Sequence, residues 1–135
     1  MTLHTIAPVF DENSKILVLG SFPSVKSREE GFFYGHPQNR FWKVIANAFD
    51  TPIAQSIEEK KALLLSNGIA LWDVIHSCDI VGSSDSSIKN VVPNDISKIL
   101  KTANIEKIIS HGKKADSLYK KFIEPKFNVQ AICLP

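Results

Sequence analysis

Hydrophobic positions along the chain follow two periods that alternate with each other. Lys15-Ile16-Leu17-Val18-Leu19-Gly20 is a short, branched apolar run closed by glycine, the pattern of a strand buried on both faces of a parallel sheet. From Asn39 the period lengthens. Phe41, Trp42, Val44, Ile45, Ala48 and Phe49 recur at helical spacing and predict a helix from Asn39 to about Phe49 with one buried stripe. Ser56-Ile57-Glu58-Glu59 is a capping box that opens a second helix through Leu63, Leu64 and Leu65, and Asn67-Gly68 stops it. Ile69-Ala70-Leu71-Trp72 reads as a second buried strand. Asp73 to Pro93 has weak periodicity and many small polar residues, Gly82 to Ser87 among them, and predicts a long loop or a linker. Asn94 or Asp95 then caps a helix carrying Ile96, Ile99 and Leu100. Lys107 to Ser110 is a third strand, Gly112 opens a helix built on Ala115, Leu118, Tyr119 and Phe122, and Val129 to Leu134 is a fourth strand.

Strands alternating with helices predict one α/β domain over residues 1–135, an open, mostly parallel four-stranded sheet flanked by helices on both faces. Ligands of such sheets bind beyond the carboxyl ends of the strands, which directs attention to the segments after Gly20, Trp72, Ser110 and Leu134. At 135 residues the chain can bury a core without staples, and 44% hydrophobic with 22% charged residues excludes the disordered and fibrous classes. No apolar run approaches the roughly 18 residues that span a bilayer. Met1 to Phe10 lacks the cationic lead into an apolar stretch that marks a secretory signal. Cys78 and Cys133 lie far apart and match no metal-ligand spacing, so a reduced, cytoplasmic protein without a metal is expected. Sixteen Lys and Arg against fourteen Asp and Glu, a net charge of +2, permits a polyanionic partner without arguing for one.

The turn after the first strand, Gly20-Ser21-Phe22-Pro23-Ser24, has neither the Gly-x-Gly-x-x-Gly of a dinucleotide site nor the Gly-Lys-Ser/Thr of a phosphate loop. Phe22 either stacks on a planar ligand or packs on the core, and Pro23 stiffens the turn. The stretch from Gly31 to Trp42 places aromatics, His36, two amides and Arg40 ahead of a helix start with free backbone donors. Phe41 and Trp42 fit the buried stripe. Tyr34, His36 and Asn39 precede it and are available to a ligand, although Asn39 also reads as a helix cap.

Gly20-Ser21-Phe22-Pro23-Ser24 followed by Tyr34-Gly35-His36-Pro37-Gln38-Asn39-Arg40-Phe41-Trp42 resembles the uracil-DNA glycosylase superfamily. The similarity is greater to its hypoxanthine-DNA glycosylase branch. Mismatch-specific uracil glycosylases share a related His-Pro-x-Asn-Arg-Phe-Trp segment but carry an Asn-Pro type of turn after the first strand. Gly68 to Asp73 and Asp79 to Ser87 resemble the hypoxanthine branch too, so the resemblance covers nearly the whole chain.

That resemblance implies a cofactor-free, monomeric enzyme acting on DNA that contains a deaminated base, hypoxanthine or uracil. Asn39 matches the asparagine held to be catalytic in the branch. Gly20, Ser21, Phe22, Pro23, Tyr34 and Asp73 would contact the base, Asp73 standing where relatives meet the extruded base. Ser24, His36, Ser86, His111 and Lys113 would contact DNA. An amide is a poor general base but can orient a water by hydrogen bonding, so a slower enzyme is expected than one with Asp at position 39. Asp73 has a second reading as a cap, His111 as a structural histidine, and Lys113 with Lys114 as solvated charges. The family continues past its last strand with a Leu-Pro-Ser-Thr-Ser-Pro type of loop that inserts beside the flipped base. This chain stops at Leu134-Pro135, so a domain without that loop is expected. The other reading is a catalytically silent nucleic-acid or nucleotide binding module of the same fold.

Overall fold

The computed structural model describes residues 1–35 and 39–134. In chain order the elements are β1 (Thr2–Leu3), β2 (Ile16–Gly20), α1 (Val25–Glu30), α2 (Phe41–Ala48), α3 (Ile57–Ser66), β3 (Ile69–Asp73), β4 (Ile75–Asp79), β5 (Lys89–Pro93), α4 (Ser97–Thr102), β6 (Lys107–His111), α5 (Lys113–Phe122), α6 (Glu124–Phe127) and β7 (Ala131–Leu134). A single 3-10 turn lies at Asp85–Ser87.

Four of these strands form the expected parallel sheet, in the order β3-β2-β6-β7. β2 is central, with Ile16 to Gly20 in register with Ile69 to Asp73 on one side, and Ile16 to Leu19 with Lys107 to Ser110 on the other. Its period-two alternation feeds both faces. Leu17 and Leu19 join Ile108, Leu118, Tyr119 and Ile123 in one buried cluster. Val18 points the other way, into a cluster with Leu64, Leu71, Phe32, Phe33, Phe41 and Trp42. From β2 the chain first adds β3 on one side and later β6 on the other. The order therefore reverses between β2 and β6, and a crevice opens beyond their carboxyl ends.

Local signals place the helices. Ser56 Oγ accepts the Glu59 N–H at 3.0 Å and starts α3, while the Glu59 carboxylate reaches back to the Gln55 N–H rather than to Ser56. Asp95, not Asn94, caps the turn into α4, by accepting from the Ser97 N–H at 2.9 Å. Asn94 is buried, and its Nδ2 donates to the carbonyls of Asp73 and Ile75, fixing the backbone where β3 leaves the sheet.

Three expectations change. First, residues 73–93 are not one long loop. β4 and β5 pair antiparallel, with β1 on the other side of β4, as a second, three-stranded sheet. Ser77 and Cys78 are buried members of β4, and the β4–β5 register shifts between Ile75/Ser77 and Ser77/Asp79, so no clean hydrophobic alternation marks these strands. Second, α1 and α6 were not foreshadowed by the pattern, because six and four residues are too few to show a period. Third, the stripe of α2 is narrower than its spacing suggests. Phe41, Trp42 and Ala46 are buried, while Val44 is 59% and Phe49 38% exposed, and Ala48 is exposed.

Trp42 stacks on Phe32 at 6.0 Å and donates from Nε1 to the Phe33 carbonyl at 3.2 Å. Trp42→Ala should therefore cost about 3–5 kcal/mol of unfolding free energy in denaturant titration. Val44→Ala, read by periodicity as equivalent, should stay within about 0.5 kcal/mol of the parent.

Candidate active site

Three strands end abreast at the crevice. Gly20 closes β2 and pairs with Asp73, which closes β3, and His111 closes β6, one residue past the last that pairs with β2. The middle position has no side chain. A Cβ on Gly20 would overlap Asp73 Oδ1 and come within 3.1 Å of the Tyr34 hydroxyl. The carboxylate and the phenol thus lean into the space above Gly20. Tyr34 reaches that place from a left-handed backbone, φ 53°, and is stacked on Phe41 at 4.3 Å. Its hydroxyl lies 2.9 Å from His111 Nδ1.

These groups enclose a cavity of about 230 Å³. Its floor is Gly20, and Asp73, Tyr34, Asn39 and His111 stand around it. Ser21, Phe22, Pro23 and Ser24 form the wall that follows β2. Ser83 and Asp85 close the rim from the serine-rich loop. That loop is fastened to the turn after β2. Ser21 Oγ donates to Asp85 Oδ1 at 3.0 Å, the Val25 N–H to Ser83 Oγ at 2.9 Å, and Arg28 Nη2 to the Gly82 carbonyl at 2.6 Å.

Asn39 sits just ahead of α2, where its Oδ1 accepts the Phe41 N–H at 2.8 Å. Both readings of this residue are met at once: it caps the helix start, and it lines the cavity. An amide oxygen has a second lone pair after accepting one bond, and the amide nitrogen keeps its donors. Phe22 is also intermediate. It packs against the core with His4 edge-on at 6.0 Å and the Arg28 guanidinium 5.6 Å from its centroid, yet it contributes to the cavity wall.

Burial holds the Tyr34 phenol well above its usual range, and the Asp73 charge adds to the shift, so Tyr34 is a neutral hydroxyl at pH 7. Burial also pulls the His111 imidazole below its ordinary value, against a smaller opposing pull from the Asp73 carboxylate. The cavity therefore combines a carboxylate with two neutral hydrogen-bonding groups.

Nine of the residues singled out from sequence meet here: Gly20, Ser21, Phe22, Pro23, Ser24, Tyr34, Asn39, Asp73 and His111. Ser24 also caps α1 by accepting the Ser27 N–H at 3.1 Å. Ser86 and Lys113 are exposed and do not line the cavity. Ser86 Oγ is bonded to Ser84 Oγ, and Lys113 opens α5. His36 lies outside the described residues. Ser27, Phe33 and His4 were not foreseen. Ser27 and Phe33 line the cavity, and His4 reaches Asp73 from a polar N-terminal segment that carries no motif.

A crevice beyond the carboxyl ends of a parallel sheet, at the point where the strand order reverses, is where open α/β domains bind their ligands, and here an amide and a carboxylate line it. A sequence model of the uracil DNA glycosylase superfamily matches residues 7–133, and the chain belongs to that superfamily. It is 38% identical over 109 residues to a hypoxanthine DNA glycosylase of Methanosarcina acetivorans, covering 79% of this chain and 69% of that one. It is 37% identical over 111 residues to a hypoxanthine DNA glycosylase of Methanosarcina barkeri, covering 80% and 70%. Its fold matches, with a TM-score of 0.82 and 32% identity, a Methanosarcina acetivorans protein assigned to the uracil DNA glycosylases and solved by NMR in solution, over 96% of this chain and 81% of that one. No helix among the described residues is long and apolar enough to cross a membrane.

The titration of His111 tests this electrostatic arrangement. Its imidazole, followed by NMR, should titrate below the ordinary histidine value of about 6.5. Asp73→Asn should move it lower still, because the carboxylate is what favours the imidazolium. The folded value lies below the unfolded one, so as pH falls through the ordinary histidine range the unfolded chain takes up the proton first. His111 should thus weaken the fold progressively until pH drops below its folded value, where the effect levels off.

Proposed function

We propose that this protein is a monofunctional DNA glycosylase that removes hypoxanthine, and to a lesser extent uracil, from DNA, acting as a cytoplasmic monomer without a metal or cofactor. The observation that carries the reading is Asn39 and Asp73 lining one cavity of about 230 Å³, with the Asp73 carboxylate over Gly20. Such a space holds one base turned out of the duplex, and extrusion of that base costs a few kcal/mol. The hypoxanthine DNA glycosylases of the two Methanosarcina species support the choice of base.

In this reading the Asp73 carboxylate accepts the N1–H of hypoxanthine. Uracil offers an equivalent N3–H beside a carbonyl. Adenine presents a bare ring nitrogen there, whose lone pair would face the carboxylate, so recognition follows the change that deamination makes. Phe22 stacks on the extruded base from the turn after β2. Tyr34 and His111 supply neutral groups to the base or sugar. Asn39 positions a water on the far side of the sugar. The bond between C1′ and the base nitrogen breaks with its electron pair leaving on the base. Water oxygen bonds to C1′, its proton passes to solvent, and the free base is protonated, leaving an abasic sugar. Ser24, Ser86 and Lys113, together with His36, would contact the DNA backbone.

A silent binding module is the competing reading, and base release separates the two. Duplexes containing deoxyinosine or deoxyuridine should yield free base in single turnover, deoxyinosine faster; retention of lesion DNA without release would favour the silent module. Asn39→Ala should slow release by at least about tenfold, or about 1.4 kcal/mol of barrier. Through loss of the bond to Phe41 it should also lower stability by about 0.5–2 kcal/mol. Asn39→Asp keeps an oxygen for both tasks and adds charge, so its activity should equal or exceed that of the parent. Release by Asn39→Ala at the parental rate would leave Asn39 as a cap alone. Phe22→Ala should weaken binding of lesion duplex by roughly 1–3 kcal/mol. Unchanged lesion binding would place Phe22 in the core alone.

A further inference from the structure

The chain upstream of β2 is not a passive tail. β1 pairs with β4, placing Thr2 opposite Cys78 and Leu3 opposite Ser77. The next residue, His4, is held by its backbone N–H on the His76 carbonyl at 2.7 Å. Further along, the Trp72 Nε1 donates to the Ile6 carbonyl at 3.2 Å, and Val9 exchanges hydrogen bonds with Leu71. The segment therefore follows β3 and β4 closely, and it delivers one polar side chain inward. His4 Nε2 lies 2.8 Å from Asp73 Oδ2, with the two side chains only 1% and 4% exposed. Phe22, Phe33 and Trp72 surround the imidazole, each ring centroid about 6 Å away.

Beside Gly20 the Asp73 carboxylate has no side chain of that residue to fix its rotation. Among the described residues, His4 is the one side chain hydrogen-bonded to the Asp73 carboxylate. Its N–H on Oδ2 leaves Oδ1 above Gly20, on the cavity side.

We propose that His4 is a specificity-determining positioning residue: by donating to Oδ2 it holds the Asp73 carboxylate with Oδ1 aimed over Gly20, and so sets discrimination between bases bearing a lactam N–H and bases with an unprotonated ring nitrogen. The inference rests on the glycosylase reading for its substrate and on the geometry of His4 and Asp73 for its mechanism.

The test is a double-mutant cycle on the full chain. His4→Phe keeps the ring and removes the donor; His4→Gln offers an amide N–H of similar reach; each is made alone and with Asp73→Asn. Single-turnover release of hypoxanthine should fall at least about tenfold in His4→Phe, about 1.4 kcal/mol, with affinity for undamaged duplex unchanged. The preference of lesion over undamaged duplex should narrow with it. His4→Gln should recover most of both. In the Asp73→Asn background, His4→Phe should add little, because its effect passes through Asp73. Additive losses in that background, or parental rate and preference in His4→Phe, would overturn the proposal. So would losses in His4→Phe and His4→Gln that merely track a common drop in Tm. If the parent releases no base at all, the glycosylase reading fails separately, and binding of free hypoxanthine against free adenine, followed by NMR, decides the role of His4. A preference for hypoxanthine lost in His4→Phe and restored in His4→Gln supports it, whereas unchanged ratios, or a parent that binds neither base, overturn it.

Discussion

The missing side chain at Gly20 is the constraint on which the site depends. Gly20 ends the central strand, and any Cβ there would overlap the Asp73 carboxylate and crowd the Tyr34 hydroxyl. Its backbone is not in the left-handed region, so the requirement is for space rather than for conformational freedom. The Asp73 carboxylate and the Tyr34 hydroxyl both lean into that vacancy. β3 brings Asp73 to one side, β6 brings His111 to the other, and the segment before α2 brings Tyr34 and Asn39 from the front. The sheet supplies the rigidity. Leu17 and Leu19 are fully buried beneath the site, so the strand that carries Gly20 cannot yield without disrupting the core.

The second sheet gives Asp73 a fixed exit. After β3 the chain runs directly into β4, and the backbone between them is tied from three directions. The Val74 N–H donates to the Gly20 carbonyl, Asn94 donates to the carbonyls of Asp73 and Ile75, and the Asn94 N–H donates to the Val74 carbonyl. The β1–β4 pairing then sets His4 beside the carboxylate. Asp73 is therefore held through both its main chain and its side chain. The serine-rich loop at the rim has a comparable logic, since its hydrogen bonds run to the turn after β2 and join two segments of the cavity wall.

How much of this could be read from sequence follows from where period and chemistry coincide. The four parallel strands were legible because buried branched runs such as Ile16 to Leu19 and Ile69 to Leu71 have few other uses. The helix-opening motif was legible because Tyr34 and Asn39 precede a hydrophobic stripe that does not need them. β4 and β5 were not, since Ser77 and Cys78 take buried positions that hydrophobic counting assigns to loops, and bulges break the alternation. The exposure of Val44 and Phe49 was hidden because periodicity reports which residues share a helix face, not how much of that face is covered. His4 gave no signal at all. It lies 69 positions from its partner, and only the antiparallel pairing of a two-residue strand brings the pair together.

In the proposed reading, with Asp73 as the group that meets the base and Asn39 as the one that positions water, recognition and bond cleavage place opposite demands on this cavity. A carboxylate that accepts from a lactam N–H selects the deaminated base, but as the glycosidic bond breaks, negative charge accumulates on that same base and is disfavoured by the nearby anion. An aspartate in place of Asn39 would help stabilise the positive sugar, but it would put a second anion in the cavity, whereas the asparagine adds no charge. The counterweight to Asp73 must then come from donors that do not themselves ionise. Tyr34, held as a neutral phenol by burial and by the Asp73 charge, fits that requirement, and so does His111, held toward its neutral form by burial. The hydrogen bond between them fixes their orientations, so that whichever proton is not shared between them is available to the ligand. Selectivity in such a site rests on one charge, and rate rests on how well neutral dipoles offset it when the base leaves.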